Sequence, residues 1–197
     1  MNKSFYKKGA EAELTETVFQ SEKAILKERI PKSYRSSELD LKIRKQRTRS
    51  EAKLFKTAAL KVRVPKVFEV NENVCSILME FVEGKVLKDV VEKEPKLCEK
   101  AGQQIKLVHS LGIIHGDLTT SNLIVTPKKQ ICFVDFGLGF FSKRTEDIAT
   151  DLIVFKKTFN ATHSSLKNGW EKVMAGYKPN KELLTKMAAI EKRARYH

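Results

Sequence analysis

The stretch that most constrains the fold is His115-Gly116-Asp117-Leu118-Thr119-Thr120-Ser121-Asn122, followed by Asp135-Phe136-Gly137. Between them lie two short apolar runs, Leu123-Ile124-Val125 and Ile131-Cys132-Phe133-Val134, around Pro127-Lys128-Lys129-Gln130. Paired as strands, these runs set Asn122 at the start of one and Asp135 at the end of the other, both on rigid supports. The residue types suit phosphoryl transfer. A transferring phosphoryl group carries spread negative charge, and Mg2+ neutralises it best through hard oxygen ligands, which Asn122 and Asp135 supply. Asp117 then accepts the proton of an attacking hydroxyl or orients a water. Polar residues that merely cap loops would account for either motif alone, but not for the ordered set.

In order and spacing the two motifs look like the catalytic half of a kinase fold, which gives the earlier chain its expected parts. Residues 4–19 read as two strands joined at Lys8-Gly9-Ala10. Gly9 is either the remnant of a phosphate-covering loop or an ordinary hairpin turn. Ala24 to Lys27 reads as the next strand, with Lys27 directed at the α- and β-phosphates or, taken alone, a solvated strand end. Ser36 to Ala59 is helical in pattern. Within it Thr48-Arg49-Ser50-Glu51 matches a capping box, with Glu51 reaching back to a helix start. The other reading pairs Glu51 with Lys27; Glu51 is the central acid of the only helix before the next strands, which favours the pair. Val62 to Val70 and Val74 to Met79 read as β-structure around a turn at Asn71-Glu72-Asn73. Residues 81–84 then read either as a hinge, with Glu80 and Val82 offering backbone groups to an adenine edge and Met79 behind it, or as an ordinary strand exit ended by Gly84.

Pro95 to Leu111 reads as a core helix stopped by Gly112, with His109 a packed or half-exposed histidine rather than a ligand. A helix opens at Glu146-Asp147, and either Asp147 or Asp151 braces the catalytic loop or simply complements the helix dipole. Trp170 is expected in the core. The last helix, Lys181 to Ala194, carries Leu183, Leu184, Met187 and Ile190 on one face. Only 60 residues follow Gly137, with no Ala-Pro-Glu, which leaves little to hold a peptide substrate.

Net charge is +14, and between Lys23 and Arg63 stand 14 basic and 4 acidic residues, +10 of that total. Such a surface favours polyanions. Lys42, Arg44, Lys45, Arg47 and Arg49 form either a solvated helix face or a surface for tRNA or an acidic partner. Cys75, Cys98 and Cys132 show no metal spacing, and an odd count suits a reducing compartment. No apolar run approaches the length of a membrane span. The expected location is cytoplasmic, or also nuclear in a eukaryote.

Ile30-Pro31-Lys32-Ser33-Tyr34-Arg35, Arg47-Thr48-Arg49-Ser50-Glu51-Ala52, the stretch Gly112 to Asn122, Asp135 to Phe140 and Glu146-Asp147 together resemble the small atypical kinase–ATPase subunit of the KEOPS/EKC complex. That is the p53-related-kinase family, allied to the Rio kinases. The resemblance runs from about residue 5 to 178. It implies an ATPase with some protein Ser/Thr kinase activity that supports threonylcarbamoyladenosine formation in tRNAs reading codons that begin with A. It also implies two partners: the threonylcarbamoyl-transfer subunit and a small subunit bound to the N-terminal lobe. The family's Arg-Gly-rich tail is only partly matched by Ile190 to His197.

The fold expected is α+β, a two-lobed kinase-like domain with a minimal C-terminal lobe. Its N-lobe spans about residues 1–80, its hinge 81–84 and its C-lobe about 85–197, with ATP and Mg2+ between the lobes. Asp117 is the expected catalytic residue, as base or water-orienting carboxylate; Gly9, Lys27, Glu51, Met79, Glu80 and Val82 are expected to contact nucleotide, and Asn122 and Asp135 the metal. The rival readings are a small-molecule phosphotransferase of the aminoglycoside or choline kinase type and a non-catalytic RNA-binding scaffold.

Overall fold

Burial alternates along Glu22–Arg29, where Ile25, Lys27 and Arg29 all lie below one tenth exposed. Period-two burial is what a pleated strand with one face on a core produces. In the computed structural model, which describes residues 4–9 and 11–193, this strand is the centre of an antiparallel sheet. The strands are β1 (Ser4–Lys8), β2 (Ala12–Phe19), β3 (Glu22–Arg29), β4 (Val67–Asn71) and β5 (Ser76–Glu80), in the order β1-β2-β3-β5-β4. Gln20 and Ser21 join β2 to β3 with φ of +48° and +69°, the positive angles that a tight two-residue hairpin needs to match strand twist.

Helix α1 (Ser37–Ala58) packs on β4 and β5. Its inner face is Thr48, Glu51, Leu54, Phe55 and Ala58, at the spacing of one helical stripe. Because α1 runs unbroken through Thr48, the capping-box reading fails: Thr48 is buried in the helix interior and its hydroxyl has no partner among the described residues. The expected β-run from Val62 is also shorter than its pattern. Val62 is buried in the turn that leaves α1, Arg63 makes only an isolated bridge to Cys132, and β4 pairs from Val67. Cys75 sits at φ +57°, which delays β5 to Ser76.

The second half is mostly helical. β6 (Lys85–Val86), β8 (Leu123–Val125) and β9 (Ile131–Phe133) form one small sheet, and β7 (Ile113–Ile114) pairs with β10 (Phe140–Phe141). The helices are α2 (Leu87–Val90), α3 (Lys96–Ser110), α4 (Thr145–Thr162), α5 (Gly169–Tyr177) and α6 (Lys181–Arg193). α3 and α5 cross at backbone contact: a Cβ on Gly102 would stand 1.9 Å from the Val173 carbonyl, and one on Gly176 1.9 Å from that of Glu99. Helix α5 carries no expectation from the pattern, and its Trp170 is half-buried against Phe155 rather than in the core. On α6, Leu183 and Met187 are buried while Leu184 is 48% exposed and leaves the apolar face. The expected end of that helix at Ala194 lies outside the described residues. One continuous core links Ile25, Phe55 and Ile77 through Phe133 and Phe136 to Ile105 and Phe155. Among the described residues no helix is long and apolar enough to cross a membrane.

Candidate active site

Side chains two apart on a strand share a face, so β3 delivers Lys27 and Arg29 to one side of the sheet. There they meet Glu51 from α1. Lys27 Nζ lies 2.7 Å from Glu51 Oε1, and Arg29 Nη2 lies 2.5 Å from Oε2. Lys27 Nζ is also 2.8 Å from Asp135 Oδ1, which takes the Gly137 N–H at 2.7 Å. Two cations thus face two carboxylates, the balance buried charge requires. Burial works against the Lys27 ammonium, but Glu51 and then Asp135 outweigh it and hold its pKa above the ordinary lysine value. Burial likewise opposes the Asp135 carboxylate, and Lys27 and the Gly137 N–H pull it below the ordinary aspartate value.

The catalytic loop is built by its own backbone and one acid from below. Gly116 has φ +77°, and a Cβ there would lie 2.3 Å from the Leu138 carbonyl, so only glycine fits this approach. Asp151 of α4 accepts the N–H groups of His115 and Gly116 at 2.9 and 3.0 Å. Its Oδ2 also meets His109 Nε2 at 3.1 Å, and His109 Nδ1 meets the Tyr177 hydroxyl at 2.9 Å. Of the two candidate braces, Asp151 holds the loop; Asp147 instead accepts from Ser142, in the segment after Asp135-Phe136-Gly137. His115 is buried among Phe133 and Phe136 and accepts the Asp117 N–H on Nδ1 at 3.3 Å. Asn122 closes the loop, its Nδ2 donating to the Asp117 carbonyl at 2.8 Å and to Oδ2 at 3.1 Å. That bonding leaves Oδ1 as the Asn122 atom suited to a cation.

Two adjoining cavities meet at Leu14, Lys27 and Asp135. One, of about 160 Å³, has apolar walls of Ile25, Met79, Val82, Val86 and Ile124 and reaches Asn122. The other, of about 420 Å³, is lined by charged side chains, with Arg29 and Asp117 beside Gly9, His115 and Gly137. An apolar slot opening onto a charged chamber suits a planar base carrying phosphates. A wider groove of about 670 Å³ lies between α1 and β4, but it has cations and no carboxylate to support this chemistry. The Glu80 side chain is spent on Arg63, and its N–H on the Lys66 carbonyl. The Phe81 N–H goes to the Lys23 carbonyl. Gly9 gives its N–H to the Ala12 carbonyl at 2.9 Å within its own turn, and the neighbouring Ala10 lies outside the described residues. Arg29 was not legible as a site residue by motif; its signal is period two from Lys27. The apolar walls Leu14, Ile25, Val86 and Ile124 carry no signal beyond strand patterning.

Sheet, helix and cleft define a kinase-like α+β fold. The same architecture occurs in the Rio2 kinase–ADP/Mg2+–phosphoaspartate complex from Chaetomium thermophilum, at TM-score 0.58 and 12% identity over 97% of this chain and 70% of that one. Residues 12–142 match the RIO domain. The chain is 42% identical to the KEOPS complex subunit Bud32 of Pyrococcus abyssi, over 96% of this chain and 94% of that protein. It is 41% identical to a probable bifunctional tRNA threonylcarbamoyladenosine biosynthesis protein of Methanobrevibacter smithii, over 96% of this chain but only 36% of that protein's length. The chain therefore belongs to the RIO-domain family, and within it to the family of the KEOPS complex subunit Bud32. That membership sets aside the aminoglycoside or choline kinase reading.

Proposed function

We propose that this chain binds Mg–ATP in the cleft between its sheet and its helices and acts as an ATPase and kinase within a KEOPS complex. The observation that carries this reading is the convergence of Lys27, Asp117, Asn122 and Asp135 on one pair of adjoining cavities, with Glu51 buried behind Lys27. The adenine sits against Ile25, Met79 and Ile124, near the Val82 backbone. Lys27, held by Glu51, contacts the phosphates. Asn122 Oδ1 and the Asp135 carboxylate are the hard oxygen donors that fit magnesium. Bound Mg2+ neutralises charge on the phosphate oxygens. Asp117, fixed by Asn122, accepts the hydroxyl proton or orients a water. Gly9 lies at the rim of the phosphate chamber and covers it only if its turn opens.

The biological role follows from the named relatives, which include a KEOPS subunit and a protein of tRNA threonylcarbamoyladenosine biosynthesis. In our reading the chain supports that modification in tRNAs reading codons that begin with A, alongside a threonylcarbamoyl-transfer subunit and a small subunit on its N-terminal half. It works in the cytoplasm, or also in a nucleus. Ser/Thr phosphorylation is a secondary activity, and generic peptides are poor substrates. The deciding experiment is Mg–ATP turnover by wild type and Asp135→Ala, with and without the transfer subunit and tRNA. Loss of the metal ligand should cost about a hundredfold or more in rate with the fold retained. Wild-type turnover in a folded Asp135→Ala would overturn the assignment.

A further inference from the structure

Glu51 has a separate cation for each of its oxygens, Lys27 at 2.7 Å and Arg29 at 2.5 Å. All three side chains are at most 6% exposed. We propose that Arg29 is a positioning residue that latches Glu51, and with it α1, against the cleft, leaving Lys27 free to move to nucleotide phosphates. The inference rests on the reading of the cleft as a nucleotide site.

In the structure Lys27 is shared between Glu51 and Asp135, and Arg29 pairs with Glu51. A bound metal and phosphates would compete for Asp135 and Lys27. With Lys27 as its only partner, Glu51 would be left a buried, weakened pair, and burial makes a lone carboxylate costly. Arg29 removes that conflict. Its guanidinium offers a planar fork, while the lysine ammonium is a flexible point charge that can turn to a new anion. The latch also reaches the metal side: Glu51 Oε1 accepts the Phe136 N–H at 3.4 Å, next to Asp135. Holding Glu51 therefore holds the backbone that presents Asp135. The competing possibility is direct contact with phosphate, because Arg29 Nη2 would lie 3.4 Å from a Cβ on Gly137 and lines the charged chamber.

Two measurements on the full chain separate these. The first is amide hydrogen exchange across residues 48–58 without nucleotide. Lys27→Met should keep wild-type protection within about threefold, while Arg29→Met should lose about tenfold or more, with partial recovery in Arg29→Lys. Equal loss in the Lys27 and Arg29 variants, or none in either, overturns the proposal. Should Arg29→Met fail to fold, Arg29→Lys against Lys27→Met carries the same comparison. The second is Mg–ATP hydrolysis in a double-mutant cycle. Arg29→Met should lower kcat about tenfold in wild type but change it by less than about threefold in a Glu51→Gln background, since both act through one contact. A full effect in the Glu51→Gln background would mean that Arg29 acts on phosphate itself, and the latch is then wrong. A wild type that fails to hydrolyse Mg–ATP would sink the proposed function, while the exchange comparison would still decide the latch.

Discussion

Asn122 bonds Asp117 twice through one amide nitrogen, at 2.8 Å to the backbone carbonyl and 3.1 Å to carboxylate Oδ2. The pair fixes both the loop and the direction of the acid. Asn122→Asp removes both donors and sets a second charge beside Asp117. Turnover of Mg–ATP should fall by about a hundredfold or more, with an unchanged melting curve because the side chain is only half-buried. Turnover within a few-fold of wild type would remove Asn122 from the site.

Asp151 is the support beneath this loop. Replacing it with Ala leaves the His115 and Gly116 N–H groups and His109 without their acceptor, in a place where Asp151 is 3% exposed. Stability should drop by about 3 kcal/mol, read from chemical denaturation, and Asp151→Asn should lose less by keeping one acceptor oxygen. Unchanged stability in Asp151→Ala would show that the loop is held elsewhere.

The pH response follows from His115. Burial pushes its pKa below the ordinary 6.5, and nearby Asp151, Asp135 and Asp117 only partly offset this. The Asp117 N–H on Nδ1 also requires that nitrogen unprotonated. The unfolded chain takes up the proton at 6.5 and the folded chain resists it. This contribution to stability is complete above 6.5 and is lost as pH falls below it. Melting temperature should decline from about pH 7 to about pH 5, and His115→Leu should flatten that slope. Parallel slopes in the two proteins would refute the assignment.

How legible all this was depends on whether local spacing carried the information. Asp117, Asn122 and Asp135 were readable because a loop and a short strand pair bring them together without distant partners. Lys27 and Glu51 needed the assumption that one strand and one helix face each other, and the charge types made that assumption reasonable. The same helix produced an error: Thr48 to Glu51 fits a local cap, yet α1 runs through it because Leu54, Phe55 and Ala58 bury the same face. Helix α5 escaped notice although Val173 and Tyr177 lie buried one turn apart, because its closest approach to α3 is at Gly102 and Gly176, which carry no hydrophobic period. Arg29 escaped because its partner lies on another element, and only its alternation with Lys27 marked it.

Gly176 offers a test of that crossing. A Cβ there would lie 1.9 Å from the Glu99 carbonyl, a backbone atom that cannot turn aside. Gly176→Ala should destabilise by about 1–3 kcal/mol despite the better helix propensity of alanine. A gain in stability would mean that α3 and α5 separate easily.

The basic stretch of α1 is less available than its composition suggests. Arg44 is held by Asp40 at 2.6 Å, Arg47 by Glu11 at 2.5 Å and Arg49 by Glu72 at 2.5 Å. Lys42 is exposed and Lys45 half-exposed, so these two are the cations best placed to meet an external polyanion. Neutralising about six tRNA phosphates would make binding fall about a thousandfold between about 50 and about 200 mM salt. If this face meets tRNA, changing Lys42 and Lys45 together to Ala should weaken binding and reduce the logarithmic salt slope by about 1.4–1.8. Arg49→Ala should add less, because Glu72 already screens that charge. Mg–ATP hydrolysis by the isolated chain should be unchanged, since neither lysine lines the cleft. Identical tRNA affinity in wild type and the double variant across the whole salt series would remove RNA from this face and leave only the acidic-partner and solvated-face readings.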